Sequence, residues 1–174
     1  MTKNDIFRRI RFIFNLNDST MISLFGLANC VVTREQISDW LKQDDKPDFK
    51  EISDKELATF LNGLIIKKRG KKEGPVSEPE SVLNNNMVFR KLKIALDFKD
   101  EDILEVMRLV GFPIGKHELS ALFRKVGHKN YRPCQAQMLR NFLNGLQLKH
   151  RADVMVGDEN KGLKADPAEK SLIK

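Results

Sequence analysis

The pentapeptide FLNGL occurs twice in this chain, as Phe60–Leu64 and as Phe142–Leu146. Extended outward from these two copies, the alignment holds without a gap at an offset of 82 positions, back to the start of the chain. Asn4 falls on Asn86, Phe7 on Phe89, Arg8 on Arg90, Asp18 on Asp100, Leu27 on Leu109, Ser38 on Ser120 and Leu57 on Leu139. About one position in five is identical, and the apolar pattern is copied as well: Ile10 meets Leu92, Ile37 meets Leu119, Trp40 meets Leu122 and Phe49 meets Tyr131. Self-similarity at a fixed period marks a duplicated supersecondary unit, and it constrains the fold more than any single motif does.

Each unit reads as four helices. Ile6, Phe7, Ile10, Ile13 and Phe14 recur at helical spacing, with Asn4 placed to cap. Asp18 and Asp100 stand at the start of second helices, and Thr33 stands before a third. Ser53 with Glu56 forms a capping box before the fourth. Asn84, Asn85 and Asn86 lead into the fifth helix of the chain as caps. No useful stretch alternates as a strand does. The expected fold is all-α, a tandem duplication of a four-helix unit related by pseudo-twofold symmetry, plus a flexible C-terminal tail. Its parts are a first repeat over residues 1–74, a linker over 75–85, a strongly basic second repeat over 86–151 and a tail over 152–174.

Gly63 and Gly145 lie in helix interiors, where glycine costs about 1 kcal/mol relative to alanine. Close approach of another helix is the usual reason for such a residue. Its presence in both units predicts that the two fourth helices meet around the pseudo-twofold axis. Asn62 and Asn144, beside these glycines, are expected to bond to backbone or face a loop.

Charge separates the two units. The net charge is +7 with a pI near 9.4. It divides as about +3 in residues 1–74, −2 in 75–85, +7 in 86–151 and −1 in the tail. The loop between third and fourth helices reads KQDDKPDFKEIS in the first unit and RKVGHKNYRPCQ in the second, where no acid remains. Several cations around a lone tyrosine suit phosphates and a stacked base. The candidate anion- or RNA-binding residues are Lys116, Arg124, Lys125, His128, Lys129, Tyr131, Arg132 and Arg140. A solvated basic loop, with Tyr131 plugging the core as Phe49 does, is the competing reading. Arg8 with Arg11, and Arg90 with Lys93, read as an ordinary solvated face. The middle of each unit also has a helix-turn-helix flavour, with Arg34–Lys42 and Lys116–Lys125 in the recognition position.

Enzyme chemistry finds little support. His117, His128 and His150 have no metal-ligand spacing with Cys30 and Cys134. There is no glycine-rich phosphate loop and no nucleophile elbow. The expectation is a protein that is not an enzyme, with no catalytic residue, cofactor or metal. Its partners would be RNA, DNA or the ribosome; the alternative is a protein–protein module or homodimer without nucleic-acid contact. Two cysteines outside any Cys-x-x-Cys pair suit a reducing compartment. Arg8, Arg9 and Arg11 interrupt the apolar N-terminal residues, and no apolar run reaches membrane-spanning length. A cytoplasmic location without membrane contact is expected.

The segments FLNGLIIKKRG, NNNMVFRKLKIAL, DEDIL and HKNYRPC together resemble the YehS-like family, a bacterial domain of unknown function. The resemblance covers about the first 150 residues and leaves the tail aside. It implies a duplicated helical domain in a small cytoplasmic protein, and it supplies no activity, cofactor or catalytic residue.

Overall fold

In a computed structural model the backbone is described over residues 1–162 and the side chains over residues 1–151. Among the described residues eight helices follow one another: α1 (Lys3–Ile13), α2 (Asp18–Leu27), α3 (Arg34–Leu41), α4 (Asp54–Arg69), α5 (Asn85–Ala95), α6 (Asp100–Leu109), α7 (Lys116–Leu122) and α8 (Ala136–Gly162). The described residues contain no strand. α8 continues to Gly162, into the stretch expected as tail. The rest of that expected tail, 163–174, lies outside the described residues.

The duplication extends to backbone detail. α1, α2, α5 and α6 all end on a residue of positive φ two places past the helix: Asn15 (50°), Asn29 (59°), Asp97 (54°) and Gly111 (74°). In each case the next N–H reaches five residues back, Leu16 to Arg11 O, Cys30 to Phe25 O, Phe98 to Lys93 O and Phe112 to Met107 O, at 3.0–3.1 Å. This left-handed closure satisfies carbonyls that the helix end leaves without partners. The helix starts are more varied. Thr33 with Gln36 and Ser53 with Glu56 cap α3 and α4 as reciprocal boxes. Thr2 rather than Asn4 caps α1, and Asn17 rather than Asp18 caps α2. At α6 the Lys99 N–H donates to Asp102 Oδ2 at 2.7 Å. Asp18 and Asp100, one place inside, pair instead with Arg11 (2.6 Å) and Lys93 (2.8 Å). The expected solvated face on α1 and α5 is therefore tied to the next helix in each unit.

Asn4 and Asn86 are buried, and they hold the loop between third and fourth helices. Asn4 Nδ2 donates to Trp40 O and Lys50 O, both at 2.9 Å, while Oδ1 accepts from Ile52 N–H at 3.2 Å. Asn86 repeats this with Leu122 O (3.0 Å), Arg132 O (2.9 Å) and Cys134 N–H (2.8 Å). An amide has both donors and acceptor, so one side chain satisfies three backbone groups. Of the three asparagines at the start of α5, only Asn84 is the cap.

The core runs continuously through both units. Phe7, Phe25, Trp40 and Phe60 pack ring on ring in the first, with centroids 4.9–6.3 Å apart. The second keeps Phe89 stacked on Phe142 at 4.2 Å, with Met107 and Leu122 at the positions of Phe25 and Trp40.

The units meet by packing α4 on α5 and α8 on α1. The offset carries α1 onto α5 and α4 onto α8, so only an operation that exchanges the units maps one contact onto the other. That operation is the expected pseudo-twofold. The glycines do not make this contact. A Cβ on Gly63 would lie 1.8 Å from Leu24 O, and one on Gly145 would lie 2.5 Å from Val106 O. Each glycine thus admits the second helix of its own unit, α2 or α6, rather than the fourth helix of the other. The neighbouring amides cross between units instead. Asn62 Oδ1 accepts from Lys91 Nζ at 2.6 Å, and Asn144 Oδ1 accepts from Arg9 Nη2. Lys91 is Arg9 advanced by the same offset. The expected backbone or loop role of these amides is replaced by an exchanged pair of bonds across the axis.

A candidate anion and nucleic-acid surface

The two loops between third and fourth helices share one backbone. In the first unit Lys46 N–H bonds Gln43 O, Phe49 N–H bonds Lys46 O and Lys50 N–H bonds Asp39 O, at 3.0–3.2 Å. In the second, His128 bonds Lys125, Tyr131 bonds His128 and Arg132 bonds Ala121 in the same way, at 2.9–3.1 Å. With the asparagine clamps, these bonds make each loop a fixed scaffold. The side chains on it have diverged. Asp44, Asp45, Asp48 and Glu51 give way to Val126, Gly127, Asn130 and Pro133.

Two of the lost acids, Asp44 and Asp48, had partners. Arg8 lies 2.6 Å from Asp5 and 3.7 Å from Asp44, and it donates to Lys42 O at 2.6 Å. Lys42 lies 2.8 Å from Asp39 and 3.6 Å from Asp48. The hydrogen bond to Asp39 holds the Lys42 ammonium above its ordinary pKa, against the opposing effect of desolvation. In the second unit Arg90 and Arg124 stand at the positions of Arg8 and Lys42, and Ala121 at that of Asp39. Arg90 still donates to a backbone oxygen, Phe123 O, at 2.7 Å. Among the described residues neither Arg90 nor Arg124 has a carboxylate partner. Arg124, Lys125, Lys129 and Arg132 are exposed and make no ion pair there. The result is a rigid, uncompensated basic edge.

The expected residues divide between three places. Arg124, Lys125, His128, Lys129, Tyr131 and Arg132 share the loop. His128 Nδ1 accepts the Asn130 N–H at 3.0 Å, which supports the turn and occupies that nitrogen. Tyr131 is half-buried, as Phe49 is, so its ring is part plug and part surface. Lys116 opens α7 and lies 3.6 Å from Glu101, with both side chains largely in solvent. Arg140 is on α8, where Nη1 donates to Gln137 Oε1 at 2.7 Å. It lines a hollow with Asp5, Arg8 and Arg9 of α1, and none of the loop candidates lines that hollow. α7 ends at Leu122, so Arg124 and Lys125 stand beyond the helix expected to carry them into a groove. Arg90 was missed by reading the loop alone. Its signal was present in the offset, which aligns it with Arg8 while removing Asp44.

Cys134 is buried, and burial pushes its thiol up to about 11. It is an inert core residue, as its alignment with Ile52 implies. Cys30 is half-buried, and both cysteines are free thiols. Among the described residues no three His, Cys, Asp or Glu side chains converge as metal ligands would. No helix in that range is long and apolar enough to cross a membrane.

A family described as a protein of unknown function (DUF1456) matches the chain twice, over residues 3–70 and 85–152. These two matches stand at the offset that the FLNGL copies set. The uncharacterized protein YehS of Escherichia coli (strain K12) is 43% identical over 147 residues, covering 84% of this chain and 94% of that protein. No solved structure matches the chain. With two matches at the duplication offset and a relative alike over nearly its whole length, the chain belongs to the YehS-like, DUF1456 family of proteins of unknown function.

Proposed function

We propose that this protein is a non-enzymatic, cytoplasmic nucleic-acid-binding module whose contact surface is the loop from Phe123 to Arg132, with single-stranded RNA as its preferred ligand. The observation that carries this reading is the internal comparison. One loop scaffold, held by one asparagine clamp, bears internally paired charges in the first unit and unpaired cations in the second. Arg132 suits a bidentate phosphate contact. The exposed part of the Tyr131 ring offers a surface for a base. The free thiols fit a reducing cytoplasm. Arg90, freed of a carboxylate beside the same loop, extends the surface onto α5.

The test is a titration of a fluorescent single-stranded RNA with the full chain, at several salt concentrations. Four phosphate contacts predict a slope of log K against log salt of about −3, since each contact on a single strand releases about 0.7 counterion. Lys129→Glu/Arg132→Glu removes two of the cations, and the magnitude of the slope should fall by about 0.7 for each. A folded double variant with the parent's affinity and slope would show that the loop is only solvated surface. No saturable RNA binding even at low salt would favour a protein–protein module instead.

A further inference from the structure

The pseudo-twofold places Arg9 on α1 and Lys91 on α5 in equivalent surroundings, each bonded to an asparagine of the other unit's fourth helix. Their charges are treated differently. The Lys91 side chain is 12% exposed, and its ammonium lies 3.0 Å from the carboxylate of Glu80, in the segment that leaves α4 and returns over α5. Arg9 is half-buried. Its Nε is buried and has no hydrogen-bond partner among the described residues. Its Nη2 reaches Asn144, and more distantly Gln147 at 3.4 Å. Both acceptors are neutral amides, and among the described residues no carboxylate pairs with Arg9.

The neighbouring groups do not supply the missing charge. Asp5 lines the same hollow, but its carboxylate is 2.6 Å from Arg8 and accepts the Thr2 N–H at 2.8 Å. Burial pushes the Asp5 carboxyl up, while the bonds from Thr2 and Arg8 outweigh that and hold it below its usual range. Asp5 is thus ionised and already engaged. The other charged neighbour, Arg140, makes matters worse. Burial lowers the Arg9 pKa, and the charge of Arg140 lowers it further. A charge taken from water and set beside a like charge is stabilised by an anion between them.

We propose that Arg9 and Arg140 form a carboxylate-binding site in the hollow between α1 and α8, where a ligand would supply Arg9 with the kind of anion that Lys91 has in Glu80. This site is separate from the loop surface and does not depend on it. Its ligand is a carboxylate from outside the chain, free in solution or on an acidic peptide.

The experiment follows the side-chain Nε–H resonance of Arg9 in the nitrogen-15-labelled full chain, assigned by its loss in Arg9→Lys. Citrate is titrated at constant ionic strength, balanced with sodium chloride. A saturable shift supports the site. Adding Arg140→Gln should raise the apparent Kd about tenfold or more, the effect of losing one charge-assisted contact. No saturable shift, or a shift that Arg140→Gln leaves undiminished, overturns the proposal.

Discussion

Gly63→Ala adds one methyl group at the tighter of the two glycine crossings, and the structure fixes where that methyl must go. An ideal Cβ at Gly63 lies 1.8 Å from Leu24 O and 2.6 Å from Leu24 C. Carbon and oxygen in ordinary contact stand about 3.3–3.6 Å apart even in a weak Cα–H···O bond. α4 must therefore move from α2 by roughly 1.5 Å, and no side chain can rotate aside because the obstacle is backbone. Overpacking of this kind costs about 1–3 kcal/mol. The helix propensity of alanine returns about 1 kcal/mol, but the separation required places the clash at the upper end. A net loss of about 2 kcal/mol is expected, which lowers Tm by roughly 4–8 °C for a chain of this size. Gly145→Ala meets Val106 Cγ1 and O at 2.5 Å, so its loss should be smaller. Gly26→Ala is the control: it sits in α2 with nothing within 4 Å, and alanine there should leave Tm unchanged or raise it. Thermal and urea unfolding followed by circular dichroism would rank the three. A Gly63→Ala protein at least as stable as the parent, or one more stable than Gly145→Ala, would refute the close crossing.

Asn86→Ala should leave two carbonyls and the Cys134 N–H without partners, costing about 1–3 kcal/mol for each group that water cannot reach. Amide exchange at Cys134 should accelerate more than global unfolding accounts for. The Cys134 thiol titrates near 11 when folded, against 9.0 ordinarily, because burial penalises the thiolate. The unfolded chain then releases that proton first, so stability is full below about pH 9 and falls as pH rises toward 11, by up to about 2–3 kcal/mol from this group. At pH 8, iodoacetamide should modify Cys30 and spare Cys134, and peptide mass spectrometry after brief exposure reads this directly.

The duplication, the helical class and the presence of a close approach at the glycines were legible in the residues. What approaches was not. A glycine in a helix interior says that a side chain is excluded, but Leu24 lies in the same unit and nothing local distinguishes it from a residue on the other fourth helix. The asparagines were ambiguous for a related reason. At a helix start an amide suits a cap as well as a clamp on a loop that lies 46 to 48 residues away in the chain. Arg9 and Lys91 were both basic at matching positions, yet their pairing with Asn144 and Asn62 depends on which faces the pseudo-twofold brings together. For the candidate surface, composition located the loop, because its cations are neighbours in sequence. Lys116 and Arg140 fell elsewhere, since their placement follows helix direction rather than proximity along the chain.

The exchanged pairing of α4 with α5 and α8 with α1 is the arrangement that two separate copies of one unit would adopt as an isologous dimer. Such a dimer must express every substitution on both sides of its axis at once. A change that made one loop basic would make its twin basic too, and the matching surfaces could never become unlike. Fusion through the segment between α4 and α5 removes that obligation. Each half keeps its partner as a packing template while its own surface drifts. The acid-bearing loop, the acid-free loop, the Lys91 that has Glu80 and the Arg9 that has no such neighbour are outcomes that only a covalently joined pair can hold together in one molecule.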